Sequence, residues 1–222
     1  MSHILVLNCG SSSVKFALID PNTTESLFAG LAENIGQENC SITFKSDDKK
    51  QLHLKNGQYK EIFLELKKYL DKKGFFNKVL AIGHRVVAGG QYFSKSALIT
   101  PENLEKIKIC IALAPLHNPA HVEGINFCEK IFVGLPQVAV FDTAFHQTIP
   151  SCIAEYAIPI ELTQDLQIRK YGAHGTSHKY VSMKAAEIIG KDKANVIVAH
   201  LGNGCSITAV VDGKSMDTSM GL

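Results

Sequence analysis

Three features of this 222-residue chain could do chemistry on an anion. Arg85 follows the apolar run Val79–Gly83, where its planar guanidinium could clamp a carboxylate through two donors or close a structural ion pair. Asp142 ends a second apolar run, Gln137–Phe141, and a carboxylate there suits acid/base work, metal binding or capping. The third feature is the opening stretch "ILVLNCGSSSVKFALID", in which an apolar run breaks at Asn8 into glycine and hydroxyls. Backbone N–H groups around Gly10 and the hydroxyls of Ser11, Ser12 and Ser13 are donors suited to phosphate. Lys15, at the start of the next run, either adds a point charge at the strand mouth or is a solvated strand residue. The stretch lacks the Gly-x-x-x-x-Gly-Lys-Ser/Thr spacing of a Walker A loop, and a β pattern rather than a helix follows it.

The histidines invite a metal reading that their surroundings weigh against. His117 and His121, like His174 and His178, are four apart, but Pro119 and Gly175 interrupt the pairs and no His-Glu-x-x-His frame exists. His117 then lines a pocket or satisfies a loop. The cysteines at 9, 40, 110, 128, 152 and 205 form no C-x-x-C pair, so reduced and mostly buried thiols are expected. Cys9, beside the hydroxyl-rich turn, could be reactive but reads better as a small apolar filler.

The elements that must position these groups follow from periodicity. Strands are expected at Ile4–Leu7, Val14–Ile19 and Ser26–Leu31, and short strands or a surface excursion from Gly36 to Gly57. Gln58 to Lys73 places Ile62, Phe63, Leu66, Tyr69 and Leu70 on one helical face, with Gly74 as a stop. Thr100-Pro101 and Asn118-Pro119 have the cap-then-proline order of helix starts. Thr176-Ser177 offers a cap for a helix to Ile189. Strands alternating with helices make an α/β layout, with polar residues at strand ends where ligand sites of such folds collect.

After that last helix the chain reads "VIVAHLGNGCSITAVVDGK". Laid without a gap on the opening stretch, Val196 falls on Ile4, His200 on Asn8, Gly202 on Gly10 and Asp212 on Asp20. A lone Gly/Ser turn is weak evidence, but recurrence of the whole strand-turn-strand frame points to two ligand turns and a duplicated domain. Two such tips facing each other would hold a nucleotide's phosphates from both sides.

Acids and bases nearly balance at a net charge of +2, which suggests neither a nucleic-acid face nor a polybasic membrane patch and leaves a small molecule as partner. The Ile4–Leu7 run is too short for a signal-peptide core, and no stretch approaches the roughly 18 apolar residues of a membrane span. A cytoplasmic protein is expected.

The motifs "NCGSSSVK", "GHRVVAGG", "APLHNPAH", "VFDTAFHQTIP", "RKYGAHGTSH", "HLGNGCS" and "DTSMGL" occur in the order seen in acetate kinases. Over essentially its whole length the chain resembles that family of short-chain carboxylate kinases, whose architecture is shared with sugar kinases, Hsp70 chaperones and actin. The resemblance implies an α/β fold of duplicated RNase H-like (ribonuclease H-like motif) domains, with an amino-terminal domain over 1–148 and the start of a second, incomplete one over 149–222. It implies reversible, direct in-line transfer of the ATP γ-phosphoryl group to acetate, with Mg2+ or Mn2+. ATP and ADP act as co-substrates.

By the same resemblance Arg85, Asp142 and His174 are catalytic. Arg85, Val87, Leu116 and His117 contact the carboxylate substrate, and Asn8 lies near the metal ion. Ser11, Ser13, Lys15, His200, Leu201, Gly202, Asn203 and Gly204 bind nucleotide. A carboxylate substrate, like side-chain acids of pKa about 4, is already ionised, so Asp142 reads as ordering metal-bound water or positioning Arg85 rather than as a base. Ala173 is small where some relatives carry an aromatic residue, which suits a longer acyl chain and keeps propionate or butyrate as alternatives. Ala88 and Gln91 stand where histidine and glutamate are expected. A later arginine in a Gly-Thr-Arg-Ser-Gly motif, a metal-associated glutamate and most of an adenine pocket are missing, which implies that this chain alone is inactive; the resemblance also implies a homodimer at full length, since relatives commonly dimerise. A non-catalytic nucleotide-binding module is the competing reading.

Overall fold

The computed structural model describes residues 2–46 and 49–221. It divides into two compact units, one of residues up to 86 with 97–139, the other of 87–96 with 140 onward.

The first unit grows from a hairpin. Strand β1 (His3–Gly10) pairs antiparallel with β2 (Ser13–Ile19), so the opening strand does not break at Asn8. Asn8, Cys9 and Gly10 stay in the ladder, which is made of backbone groups and tolerates polar side chains, and the turn shrinks to Ser11-Ser12. Strand β3 (Ser26–Glu33) pairs antiparallel with β2, and β4 (Ser41–Lys45) and β5 (Lys49–His53) resolve the polar excursion into an edge hairpin. On the other side β1 pairs parallel with β6 (Val79–Val86), a strand that carries His84 and Arg85 inside it rather than after it. With β7 (Ala97–Leu98) and β8 (Gln137–Phe141) the eight-stranded mixed sheet has the order β5-β4-β3-β2-β1-β6-β8-β7.

Alternation decides which face of β1 and β2 is wet. Leu5, Leu7, Cys9, Val14, Phe16 and Leu18 are buried in one core with Ile62, Phe63, Leu66 and Leu70 of helix α1 (Tyr59–Lys72). Helix α2 (Pro101–Ile109) starts at Thr100, whose Oγ1 accepts from the Asn103 N–H at 3.2 Å. Helix α3 (Asn118–Ile131) is capped by His117 rather than Asn118. Cys9 faces α3 at Gly124, where a Cβ would stand 2.5 Å from its Sγ. Burial pushes the Cys9 thiol up to about 12, so it is a filler and not a nucleophile. Cys40, Cys110 and Cys128 are also buried, while Cys152 and Cys205 are exposed.

Tyr59, at the start of α1, donates its hydroxyl to the Gly10 carbonyl, and the Ile35 N–H donates to the Ser12 carbonyl at 3.2 Å. Two distant segments thus hold the Ser11-Ser12 turn. Tyr59→Phe is expected to cost about 1 kcal/mol in urea unfolding and to speed amide exchange at residues 11–13.

In the second unit, helices α4 (Ser151–Ala154) and α5 (Ile160–Asp165) are short. Helix α6 (Gly175–Ile188) packs on a three-stranded antiparallel sheet ordered β11-β10-β9, from β9 (Val196–Leu201), β10 (Cys205–Val211) and β11 (Lys214–Thr218). Val198, Ser206, Thr208 and Val210 are buried, and the alternating Ile197, Leu201 and Ile207 are exposed. Leu222, the end of the "DTSMGL" motif, lies outside the described residues. No helix among the described residues is long and apolar enough to cross a membrane.

Candidate active site

On the sheet of the first unit, three strands bring Lys15, Asn8 and Arg85 into one row. Asn8 lies directly opposite Lys15 in the β1–β2 ladder, and Leu7 opposite His84 in the β1–β6 ladder, so Arg85 is the next step beside Asn8. Arg85 Nη1 donates to Asn8 Oδ1 at 3.1 Å. The row occupies the face away from the hydrophobic core, with Lys15 exposed and Asn8 and Arg85 half-buried. Two cations flanking an amide form a surface suited to an anion. Ser11 is exposed at the turn and Ser13 is half-buried. Leu116 is 77% exposed, and His117 is exposed at the start of α3. Val87 falls in the second unit, half-buried.

His84, next to Arg85, is buried, and its Nε2 meets Gln137 Oε1 at 2.7 Å. The amide oxygen only accepts, so Nε2 carries the proton. Burial holds the His84 imidazole down at about 4. Burial likewise holds His178 down at about 4. A depressed folded-state pKa stabilises the fold above the unfolded value of about 6.5 and loses that stability as pH falls towards the folded value. Denaturant unfolding should therefore show stability falling by about 1–3 kcal/mol between pH 6.5 and 4, less steeply in His84→Gln, which keeps a donor for Gln137.

In the second unit Asp142 and His174 meet at the start of α6. Asp142 is 3% exposed; its Oδ1 accepts from the Thr176 hydroxyl at 3.0 Å and its carbonyl accepts from the Gly175 N–H at 2.8 Å. Thr176 is thus a tether to Asp142, and the helix is capped two residues before Thr176, by His174 in the left-handed region at φ 57°. His174 stacks on His200 with ring centroids 4.2 Å apart. A Cβ at Gly204 would lie 3.4 Å from His174 Nε2, so the glycine of the turn sets no side chain of its own against that ring edge. Leu201, Gly202 and Asn203 are exposed at the same turn.

The two hairpins match in frame but not without a gap. Gly10 pairs with Ser13 across two residues, whereas Leu201 pairs with Cys205 across three. The residue opposite His200 is therefore Ser206, where Lys15 stands opposite Asn8, and gapless superposition errs by one on the return strand. Ser206 is buried, and its hydroxyl lies 2.9 Å from His174 Nδ1 and 2.7 Å from His178 Nε2. His200 Nδ1 lies 2.9 Å from Ser177 Oγ. His146 Nε2 meets the Ala173 carbonyl at 2.9 Å and Nδ1 meets Ser215 Oγ at 2.8 Å; burial lowers its pKa. Sequence reasoning passes over Ser206, Ser177 and His146 as site residues; the four-residue step from His174 to His178 along α6 is the signal that was open to it. Ala88 is buried and Gln91 exposed. Among the described residues no group of three or more His, Cys, Asp or Glu could hold a metal ion.

These motifs and folds have known counterparts. The profile of the acetokinase family matches residues 3–222. An acetate kinase of Francisella tularensis subsp. holarctica is 71% identical over 222 residues, which is all of this chain and 58% of the relative. A crystal structure described as a propionate kinase from Francisella tularensis subsp. tularensis superposes with a TM-score of 0.98 at 70% identity, and Porphyromonas gingivalis acetate kinase with 0.92 at 41%. Each is covered over 58% of its length by the whole of this chain. A profile that runs through both hairpins, the Arg85 strand and the His174 cap together leaves one conclusion: the chain belongs to the acetokinase family.

Proposed function

We propose that the full-length protein transfers the γ-phosphoryl group of ATP reversibly to a short-chain carboxylate, giving an acyl phosphate and ADP by direct in-line transfer. The observation that carries this is the Lys15–Asn8–Arg85 row in a chain of this family. A substrate carboxylate and a phosphate chain are both anions, and a loose phosphoryl-transfer transition state needs positioned cations and donors more than a base. Arg85 is the carboxylate clamp, with Val87, Leu116 and His117 around the acyl group. His174 donates to the transferring phosphoryl group, and Asp142 holds the start of α6, which His174 caps. Ser11, Ser13, Lys15 and the residues His200 to Gly204 bind the nucleotide phosphates.

A divalent ion, Mg2+ or Mn2+, would neutralise charge on the phosphate oxygens. Asn8 suits it through an intervening water, because its amide oxygen already accepts from Arg85 and Mg2+ keeps several waters. We assign the duplicated domains to 1–148 and 149–222, although compactness alone divides the chain elsewhere. The protein is cytoplasmic and dimeric at full length, and this chain alone is inactive.

Acetate is the first substrate. Propionate is the second, favoured by the small Ala173 and by the name of the 70%-identical solved relative. The test is hydroxylamine trapping of acyl phosphate from full-length protein, ATP, Mg2+ and acetate, propionate or butyrate. Trapped product with any of them supports transfer and ranks the acids. ADP binding with no product from any acid would replace it with a nucleotide-binding module.

A further inference from the structure

We propose that His178 is a positioning residue which, through the Ser206 hydroxyl, holds His174 as the neutral tautomer protonated at Nε2. Its effect on turnover rests on the phosphoryl-transfer reading above; the tautomer does not.

Ser206 Oγ has one proton to give, and two imidazole nitrogens contact it, His174 Nδ1 at 2.9 Å and His178 Nε2 at 2.7 Å. The oxygen could accept from both rings, but Ser206 Oγ meets no other side chain among the described residues, so its buried proton must go to one of the two rings and the other ring donates. His178 decides which, because it is fully buried and its Nδ1 has no hydrogen-bond partner among the described residues. A proton on Nδ1 would be an orphaned buried donor, which folded proteins tolerate less than an unused lone pair. The proton of His178 therefore sits on Nε2 and is donated to Ser206 Oγ. Ser206 then donates to His174 Nδ1, and the single proton of His174 is left on Nε2. That edge of the ring is the one beside Gly204, in the turn between β9 and β10.

The groups facing His178 keep the chain of donors in this direction. His146 lies 5.7 Å and His200 6.3 Å away between ring centroids, and His174 is the third imidazole of the set. Burial lowers the pKa of His146, so near neutral pH the ring carries one proton, which Nε2 must donate to the Ala173 carbonyl, and Nδ1 accepts from Ser215. Burial and these three rings hold His178 uncharged near neutral pH. Reversing the chain, with His174 donating from Nδ1, would push a proton onto the orphaned His178 Nδ1. The buried pair thus biases His174 towards presenting an N–H, rather than a lone pair, at Nε2.

Neutron diffraction from crystals of the full-length protein in D2O near pH 7 tests the assignment without reference to activity. Deuterons are expected on Nε2 of His174 and of His178, with none on either Nδ1. A deuteron on Nδ1 of either ring overturns the proposal. Turnover gives the second readout. Ser206→Ala and His178→Phe should lower kcat about tenfold or more with little change in the carboxylate KM. His178→Gln, which keeps an N–H near the Nε2 position, should retain most of the activity. Equal losses in His178→Phe and His178→Gln would mark simple packing and overturn the positioning role, as would unchanged kcat in Ser206→Ala. If the wild-type protein forms no acyl phosphate while the deuterons lie as stated, the tautomer assignment stands and only the phosphoryl-transfer reading fails.

Discussion

Arg85→Ala in the full-length protein is expected to lower kcat/KM for the carboxylate by about 10²–10³-fold, read as hydroxylamine-trapped acyl phosphate. The size follows from two losses at once. The fork that would clamp the substrate is gone, and Asn8 Oδ1 loses the guanidinium that now holds it at 3.1 Å, so the middle of the Lys15–Asn8–Arg85 row is free to turn. Arg85→Lys should recover little, because an ammonium keeps the charge but cannot make two parallel bonds to one carboxylate while also reaching Asn8. The fold should be unaffected by either change, since Arg85 is half-buried on the face away from the core and the β6 ladder is made by its backbone. Turnover within threefold of wild type for Arg85→Ala would remove this residue from the site.

The groups proposed to act on an anion are legible in the sequence because each breaks a pattern: a cation just after an apolar run, a carboxylate at the end of another, a glycine turn seen twice. What supports them is less legible. Ser206 is an ordinary small residue in a strand, and its importance appears only once the β9–β10 register is known. Gapless superposition puts Ile207 under Lys15, but the arc from His200 to its partner is one residue shorter than that from Asn8 to Lys15, which puts Ser206 there instead. His178 is visible by its spacing from His174, but spacing says that two rings share a helical face and not what they meet. It meets a hydroxyl. The limits of elements fail for a related reason: Asn8 and Gly10 look like the end of a strand, yet their backbone groups are paired, and Thr176 looks like a helix cap while its hydroxyl is spent on Asp142. Side-chain chemistry predicts what a residue could do, and the tertiary partner chooses among those options.

That choice is most exposed at Gly175, and Gly175→Ala is expected to cost about 3 kcal/mol in denaturant unfolding and to abolish most phosphoryl transfer. A Cβ there would stand 2.2 Å from the Asp142 carbonyl oxygen and 3.0 Å from Phe145 Cβ. The first contact is with backbone, which cannot swing aside as a side-chain end can. The Gly175 N–H also donates to that carbonyl at 2.8 Å, so relieving the clash breaks the bond that joins the end of β8 to the start of α6. His174 caps α6 from a left-handed conformation held at this junction, and Asp142 loses its Thr176 tether if the helix start moves. Stability and site geometry should therefore fail together. Gly204→Ala separates them: its Cβ would rest at 3.4 Å against His174 Cε1 and Nε2, an ordinary contact, so stability should change by no more than about 0.5 kcal/mol. A methyl group would nonetheless cover the ring edge that carries the proton, and turnover should fall. Wild-type stability in Gly175→Ala would mean that α6 is not held at Asp142, and with it the placement of His174 would lose its physical basis.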